Sequence, residues 1–231
     1  MKVALISDIH SNIFALNAVY ADLNKEGIDF ILVAGDLIGY YYWPKEVVKL
    51  LRNDNRVICI RGNHENILLE TLLSKEKAEF YRKKYGSGYD VCHESLSGDD
   101  IRWLTALPEY KQLNIDGCTF YMSHGSFQDT NDYLYPDASF ERIKQNYSDS
   151  NVTIFGHTHY PFIHVHENKI MINPGSVGQP RDIGGLASYA IIDTKNFTTR
   201  FKHIAFDHSE IIKTAKSKDT QLEYLWKIMN R

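Results

Sequence analysis

The sequence predicts an α/β fold in which two β-sheets pack face to face between outer helices. The first third of the chain has the order β-α-β-α-β, which favours parallel strands joined by right-handed crossovers. The second half is a series of short strands and turns, which predicts a second sheet. Several strands are too apolar to face water on either side. We therefore expect a four-layer αββα sandwich of two mixed sheets, an α/β fold (α+β in some schemes).

The first third supplies the best-defined elements. A helix is predicted over 13–26, because apolar residues recur at helical spacing and Gly27 stands where the helix should end. A second helix over 44–51 begins with Pro44, which suits a first helical turn. Between and around these helices, apolar runs predict buried strands over 3–6, 30–33 and 57–60.

A mostly helical insertion is predicted over about 65–105, within a single domain of residues 1–231. Residues 70–84 are charged and amphipathic, and Gly86-Ser87-Gly88 should break that helix. Residues 97–100 are typical of a cap before a short helix that ends ahead of Pro108. An insertion of this kind could act as a lid.

The second half begins with a hairpin whose turn is Asp116-Gly117, a strong turn signal. Its strands are predicted over 113–115 and 119–122, and a second hairpin joins 162–166 to 169–172. Further strands are predicted over 152–155, 187–192 and 198–204, followed by a terminal helix over 214–229.

Charge and cysteine content exclude several classes of protein. The 26 basic and 29 acidic residues give a net charge of −3, so no basic surface for long nucleic acids or membranes is expected. The sequence has no apolar run of about 18 residues, so no membrane span is predicted. Asp8 interrupts the N-terminal apolar run too early for a signal peptide. The three cysteines form no CxxC motif, so neither a disulfide framework nor a zinc ribbon is indicated. We expect a cytoplasmic protein.

Polar residues follow five predicted strands at the point where each strand ends. In open α/β sheets, ligands bind beyond the carboxyl ends of strands, so these residues should share one crevice. Turn or helix capping would explain an isolated aspartate, but capping does not call for histidine. His164 and His166 repeat the His-x-His spacing without a preceding glycine, and we interpret them as one solvent face of a strand. The five blocks are Asp8-Ile9-His10, Gly35-Asp36, Gly62-Asn63-His64, Ser123-His124-Gly125 and Gly156-His157-Thr158-His159.

The side chains of these blocks would give a metal site imidazole and hard oxygen donors and no thiolate. Such a set of ligands favours Mn²⁺, Fe, Ni²⁺, Co²⁺ or Zn²⁺ over Ca²⁺. Seven candidate ligands are too many for one tetrahedral ion but can hold two ions, especially if one carboxylate bridges them. Two such ions about 3.5–4 Å apart can generate hydroxide and hold a phosphoryl group. Chemistry on a phosphate ester is therefore predicted.

The five blocks resemble the signature of the calcineurin-like metallophosphoesterases. The run from Asn173 to Arg181 further resembles the small bacterial and archaeal phosphodiesterase branch. The blocks occur in the family's order between residues 8 and 181, about three quarters of the chain. The resemblance implies the metallo-dependent phosphatase fold and a dimetal centre, for which Mn is the expected metal.

The resemblance also implies a role for each matching residue. Asp8, His10 and His159 would bind the first ion, Asn63, His124 and His157 the second, and Asp36 would bridge them. His64 is not a ligand in the family; it would stabilise the transition state or protonate the leaving oxygen, or else orient a neighbouring ligand. Glu65 departs from the family pattern, since many relatives carry Asp there, and we interpret it as a choice at the helix start.

The implied activity is hydrolysis of phosphodiester bonds by attack of a metal-bridging hydroxide. A phosphomonoesterase, a nucleotide or dinucleoside polyphosphate hydrolase and a non-catalytic protein-binding scaffold are the alternatives. A retromer subunit with this fold is such a scaffold and lacks the histidine that matches His64, so the presence of His64 favours an enzyme. The expected substrate is a small phosphoester or nucleotide, not a long nucleic acid or a membrane.

Contacts to substrate are predicted for Arg181 and Tyr40. The glycine-rich loop before Arg181 could bind phosphate through backbone N–H groups, or it could be a turn packed under the site. Tyr40 belongs to an aromatic loop over 40–43, which could line the mouth of the site, pack against the insertion or contact a partner in a homodimer.

Overall fold

Two mixed five-stranded sheets form the centre of the computed structural model, which describes residues 1–231. In chain order the strands are β1 Lys2–Ile6, β2 Phe30–Ala34, β3 Val57–Ile60, β4 Tyr110–Ile115, β5 Cys118–Ser123, β6 Val152–Ile154, β7 Phe162–His166, β8 Lys169–Asn173, β9 Leu186–Asp193 and β10 Thr198–Ala205. The first sheet has the order β10-β9-β1-β2-β3, and the second has the order β4-β5-β6-β8-β7. Both sheets are mixed, because β1, β2 and β3 are parallel, as are β5, β6 and β8, while the remaining pairs are antiparallel.

The helices are α1 Ile13–Glu26, α2 Pro44–Asn53, α3 Asn63–Leu73, α4 Lys75–Tyr85, α5 Gly88–Ser95, α6 Gly98–Ala106, α7 Phe140–Lys144, α8 Ser209–Lys218 and α9 Tyr224–Lys227. Gly27 ends α1 in the left-handed conformation, and Pro44 begins α2, as predicted. Helices α3–α6 occupy the segment predicted as a helical insertion, and Gly86 and Ser87 separate α4 from α5. No helix combines the length and the apolar character that crossing a membrane requires.

The core has separate layers, because the side chains of a strand alternate between its two faces. Val3 and Leu5 of β1 lie between the two sheets with Phe120 of the second sheet. Ala4 and Ile6 face the opposite way, into the larger cluster beneath the helices. Each layer is therefore filled by alternate residues of the same strand, and the predicted sandwich is confirmed. The three cysteines are buried free thiols.

The predicted terminal helix over 214–229 is wrong. Helix α8 ends at Lys218, and α9 begins only at Tyr224. The break occurs at Asp219, whose carboxylate accepts hydrogen bonds from the Tyr42 hydroxyl (2.8 Å) and from the Ser87 backbone N–H and hydroxyl (2.9 Å each). These contacts come from segments distant in sequence, so local periodicity could not predict them.

The loops that follow the central strands of both sheets meet at one edge of the sandwich. The Asp8 N–H donates to Gly35 O at 3.1 Å, and the Gly156 N–H donates to His124 O at 2.8 Å. Glycine permits the closest approach, because a Cβ on Gly35 would lie only 2.7 Å from the Gly62 nitrogen. The glycines of the sequence blocks therefore bring the polar side chains of neighbouring loops together.

Candidate metal centre

All seven predicted metal ligands, together with His64, lie in one buried cluster. None of the eight side chains is more than 6% exposed. A first group consists of Asp8, His10 and His159, and a second contains Asp36, His124 and His157. Sequence reasoning therefore identified residues that the structure brings together.

The first group is compact around two imidazole nitrogens. His159 Nε2 lies 3.3 Å from Asp8 Oδ1, and His10 Nε2 lies 3.8 Å from the same oxygen. The two Nε2 atoms are 3.0 Å apart. One carboxylate and two imidazoles thus converge on a single point.

The second group converges in the same way, and its carboxylate also approaches the first group. His124 Nε2 lies 3.1 Å from Asp36 Oδ2 and 3.1 Å from Asn63 Oδ1. Asp36 Oδ2 is also 3.8 Å from His10 Nε2 in the first group. Asp36 therefore stands between the two groups, where a bridging ligand would stand.

Backbone carbonyls set the orientation of three of these rings. Nδ1 of His10, His124 and His159 lies 3.2, 2.7 and 2.7 Å from the carbonyl oxygens of Ile38, Ala34 and Gln179 respectively. A carbonyl can only accept, so each Nδ1 carries the donated proton and each Nε2 is the nitrogen turned toward the cluster. This arrangement is typical of histidines that bind metal.

The donor set fits divalent cations. Two bare Nε2 atoms 3.0 Å apart, on His10 and His159, require a proton or a cation between them. His157 Nε2 is buried and has no hydrogen-bond partner, although buried polar groups are normally paired. Metal coordination would satisfy all three nitrogens.

Backbone strain is concentrated at the same residues. Asp8, His10, Asp36, His157 and His159 all have positive φ, between 50° and 66°. Residues other than glycine adopt this left-handed region infrequently, and at a cost in free energy. Strain of this kind persists where the surrounding structure enforces it, and it is common at functional sites.

The electrostatics of the cluster also favour a cation. Burial would raise the pKa of Asp8, but His159 and His124 hold it below its ordinary value. Burial opposes protonation of His124, yet the carboxylates of Asp36 and Asp8 raise its pKa to about 10. Burial lowers the pKa of His157 to about 3 and that of His10 well below its ordinary value. The carboxylates are therefore ionised, His10 and His157 are neutral, and His124 carries a proton that a bound cation would displace.

Comparison with known proteins identifies the family. The model of the calcineurin-like phosphoesterase superfamily domain matches residues 1–197. The chain belongs to the calcineurin-like phosphoesterase superfamily. The resemblance drawn from the sequence blocks is thereby confirmed, and the protein is a phosphoric ester hydrolase.

Relatives of this phosphoesterase occur in archaea and bacteria. It is 35% identical to Uncharacterized protein MJ0912 of Methanocaldococcus jannaschii, over 89% of this chain and 88% of the relative. It is 24% identical to Phosphodiesterase YfcE of Escherichia coli, over 84% of this chain and 88% of the relative. The chain is also similar to the crystal structure of the hypothetical protein PH1004 from Pyrococcus horikoshii, at 22% sequence identity. The superposition covers 100% of this chain and 98% of the other, with a TM-score of 0.84. That structural likeness confirms the predicted fold.

Members of the superfamily depend on two metal ions, and the two side-chain groups of this phosphoesterase provide places for both. His64 lies beside them at the start of α3, with Nε2 4.0 Å from Asp36 Oδ2. The His64 backbone N–H donates to Asp36 Oδ1 at 2.8 Å. His64 is therefore tied directly to Asp36, the carboxylate that lies between the two groups.

Glu65 does more than begin a helix, which is all that the sequence suggested. Its buried carboxylate accepts hydrogen bonds from the backbone N–H groups of Asp36, Leu37, Ile38 and Gly62 at 2.7–3.3 Å. Burial and the nearby Asp36 raise its pKa to about 7. Glu65 thus fastens the loop that carries Asp36 to the loop that carries Asn63.

The predicted substrate contacts fall in different surroundings. Arg181 is half-buried and forms no ion pair. Burial raises the pKa of Tyr40 and of Tyr133, and the Arg181 charge partly opposes the effect on both. Tyr40 is only 7% exposed, and its ring packs 5.2 Å from that of Tyr85. Tyr40 therefore packs against the helical insertion, which was one of the alternatives for the aromatic loop. Arg181 lies among tyrosines as a cation without a carboxylate partner.

The glycine-rich loop packs under the site. The backbone N–H groups of Val177 and Gly178 donate to Ser7 O and Asp8 O at 3.0 and 2.9 Å. The Ser176 hydroxyl also donates to Asp8 O, at 2.7 Å. These donors support the first ligand loop and are not free for phosphate.

Proposed function

We propose that this phosphoesterase hydrolyses phosphodiester bonds of small substrates and depends on two divalent transition-metal ions. The observation that carries the proposal is a pair of buried groups of candidate ligands with Asp36 between them and His64 beside them. The diester, rather than the monoester, is proposed because a relative over most of the chain is called a phosphodiesterase.

The chain's own residues supply the positions for both ions. Asp8, His10 and His159 would hold one ion, Asn63, His124 and His157 the other, and Asp36 both. When bound, two such ions activate water and neutralise charge on phosphoryl oxygens. Mn²⁺ is the proposed metal, and Fe, Ni²⁺, Co²⁺ and Zn²⁺ suit the same imidazole and oxygen donors.

Three further side chains would act on the substrate. His64 Nε2 faces the shared carboxylate, so a proton on that nitrogen can form a hydrogen bond to an oxygen of a phosphate held between the ligand groups. Arg181 would bind a phosphate oxygen, since its guanidinium has no carboxylate partner and lies among the tyrosines around the centre. Tyr40 would line the site beside His64, since the centroids of the two rings are 4.8 Å apart.

The cellular compartment, the class of substrate and the oligomeric state are proposed from the thiols, the net charge and the burial of the aromatic loop. Three buried free thiols suit a reducing compartment such as the cytoplasm. The net charge of −3 favours a small phosphoester or nucleotide over a long nucleic acid. A homodimer through the aromatic loop is disfavoured, since Tyr40, Tyr41 and Tyr42 are all buried within the chain.

The test uses chelator-stripped protein with Mn²⁺ restored, assayed on bis(4-nitrophenyl) phosphate and on 4-nitrophenyl phosphate. We expect metal-dependent hydrolysis that favours the diester and is abolished in Asp36→Ala and in His124→Ala. His164→Ala is the matched control, because His164 lies on β7 outside the cluster and its loss should leave turnover unchanged.

Hydrolysis of the monoester alone would overturn the diester assignment and retain the phosphoesterase. Full activity in Asp36→Ala would overturn the site. No turnover of either ester by protein with Mn²⁺ demonstrably bound would shift the proposal to a non-catalytic scaffold.

A further inference from the structure

We propose that Tyr89, on helix α5 of the insertion, is a positioning residue that directs a proton on His64 Nε2 toward the metal centre. The inference rests on the proposed function, because it names how His64 is prepared to donate a hydrogen bond to the substrate.

The contact between the two residues is short and buried. Tyr89 Oη lies 2.6 Å from His64 Nδ1, and both residues are 3% exposed. The rings are nearly parallel, with centroids 5.9 Å apart and planes 15° apart. Tyr89 Oη also lies 3.4 Å from the His64 carbonyl oxygen. The hydroxyl has only one proton, and the much shorter distance favours Nδ1 as its acceptor.

The direction of this bond decides which nitrogen of His64 carries hydrogen. Burial raises the pKa of Tyr89 well above its ordinary value, so Tyr89 remains a neutral hydroxyl. If that hydroxyl donates to Nδ1, the neutral imidazole must carry its own proton on Nε2. Nε2 is the nitrogen that faces Asp36, at 4.0 Å.

The three carbonyl-bound histidines show the opposite arrangement. In His10, His124 and His159 a carbonyl accepts the Nδ1 proton, so Nε2 is the nitrogen that would bind metal. In His64 a hydroxyl occupies the same position behind the ring and reverses the tautomer. The partner of Nδ1 therefore distinguishes the histidines suited to be ligands from the one suited to donate a hydrogen bond.

The surroundings of His64 leave this role to Tyr89. A Cβ on Gly39 would overlap Nδ1, so the adjacent loop is glycine where it passes the ring and supplies no side chain there. Tyr40 and Tyr85 pack against the ring with centroids 4.8 and 4.9 Å away. These aromatic contacts restrict the ring, while the only hydrogen bond to Nδ1 comes from Tyr89.

The role inferred for His64 is donation of a hydrogen bond, not transfer of its proton. A neutral imidazole that lost the Nε2 proton would become an imidazolate in a buried site, with a tyrosine hydroxyl rather than a cation behind it. The Nε2–H group is instead suited to stabilise an oxygen that gains negative charge as the phosphate ester reacts. Tyr89 would hold this donor in one tautomer and one orientation before substrate binds.

The first measurement is the tautomer of His64 in metal-free wild-type protein labelled with ¹⁵N at histidine. Long-range ¹H–¹⁵N spectra should show His64 protonated on Nε2 and bare on Nδ1, while His10, His124 and His159 show a proton on Nδ1. In Tyr89→Phe the His64 signal should become a mixture of both tautomers. A proton on Nδ1 of His64 in the wild-type protein would overturn the inference, even if the variant fails to fold.

The second measurement is the kinetics of Tyr89→Phe on bis(4-nitrophenyl) phosphate with Mn²⁺. We expect kcat to fall by about 10- to 100-fold with KM nearly unchanged, because the hydrogen bond acts on the reacting phosphate. Tyr81→Phe is the matched control. It removes a hydroxyl from the same insertion, where Tyr81 Oη donates to Glu70 away from His64, and it should retain the wild-type kcat.

The outcomes separate this inference from the proposed function. Wild-type kcat in Tyr89→Phe, or a rise in KM alone, would overturn the role of Tyr89 and leave the phosphodiesterase proposal standing. Absence of diester hydrolysis by the wild-type protein would overturn the proposed function, and the wild-type spectrum would still decide whether Tyr89 sets the tautomer.

Discussion

The hydrogen bonds of Asp219 join three distant segments, and their loss has a calculable effect. In Asp219→Ala three buried donors lose their acceptor: the Tyr42 hydroxyl, the Ser87 N–H and the Ser87 hydroxyl. A buried hydrogen bond contributes about 1 kcal/mol net, so the free energy of unfolding should fall by about 3 kcal/mol. That difference corresponds to more than a hundredfold in the unfolding equilibrium.

Urea unfolding of metal-free protein, followed by circular dichroism, measures this change. Asp149→Ala is the control, since Asp149 is fully exposed and its loss should change stability by less than about 0.5 kcal/mol. Tyr42→Phe alone should cost about 1 kcal/mol and should add nothing to Asp219→Ala, because the shared bond is already gone. A loss below about 1 kcal/mol in Asp219→Ala, or additive losses in the double variant, would refute the reasoning.

Three further predictions concern the centre itself. Mn²⁺ binding at pH 7 should release at least one proton, because nearby carboxylates overcome burial and raise the pKa of metal-free His124 to about 10, and a nitrogen that binds metal carries no proton. Calorimetry in two buffers measures the release, and binding without proton release would contradict a ligand role for His124. Protonation of His64 should lower the free energy of unfolding of the metal-free protein by about 3 kcal/mol as pH falls from about 6.5 to 4. Burial holds the pKa of His64 in the folded protein at about 4, so protons bind the unfolded chain more tightly. A melting temperature that does not change over this pH range would contradict this prediction. Tyr133 is 40% exposed, and its ring centroid lies 4.0 Å from that of His157, so its ring can stack on an aromatic group of the substrate. Tyr133→Leu should therefore raise KM for an aryl diester about tenfold and leave kcat unchanged. An equal rise in KM for a dialkyl ester would argue against stacking.

The residues of the cluster could be predicted because their signal is local. Gly35-Asp36 and Gly62-Asn63-His64 each combine an apolar strand, a glycine and a polar side chain within a few positions. The topology of parallel strands then brings the ends of those strands to one edge, so the cluster follows without any knowledge of side-chain contacts.

The residues that support the cluster could not be predicted in the same way. Tyr89 contacts His64 from a helix 25 positions further along the chain, and Asp219 contacts Tyr42 across 177 positions. Only the spacing of four between Tyr81, Tyr85 and Tyr89 hints that one face of the insertion is aromatic. The same dependence on distant partners explains why helical periodicity extended α8 through the break at Asp219.

The left-handed backbone of five proposed metal ligands has a consequence for protein engineering. At roughly 1–2 kcal/mol for each residue, the fold carries a substantial cost at Asp8, His10, Asp36, His157 and His159 whether or not an ion is bound. Glycine at any of these positions would relieve that cost and remove a donor. Laboratory selection for heat resistance alone would therefore be expected to accumulate glycine there and to dismantle the centre, so such a selection needs metal binding or turnover as a second criterion.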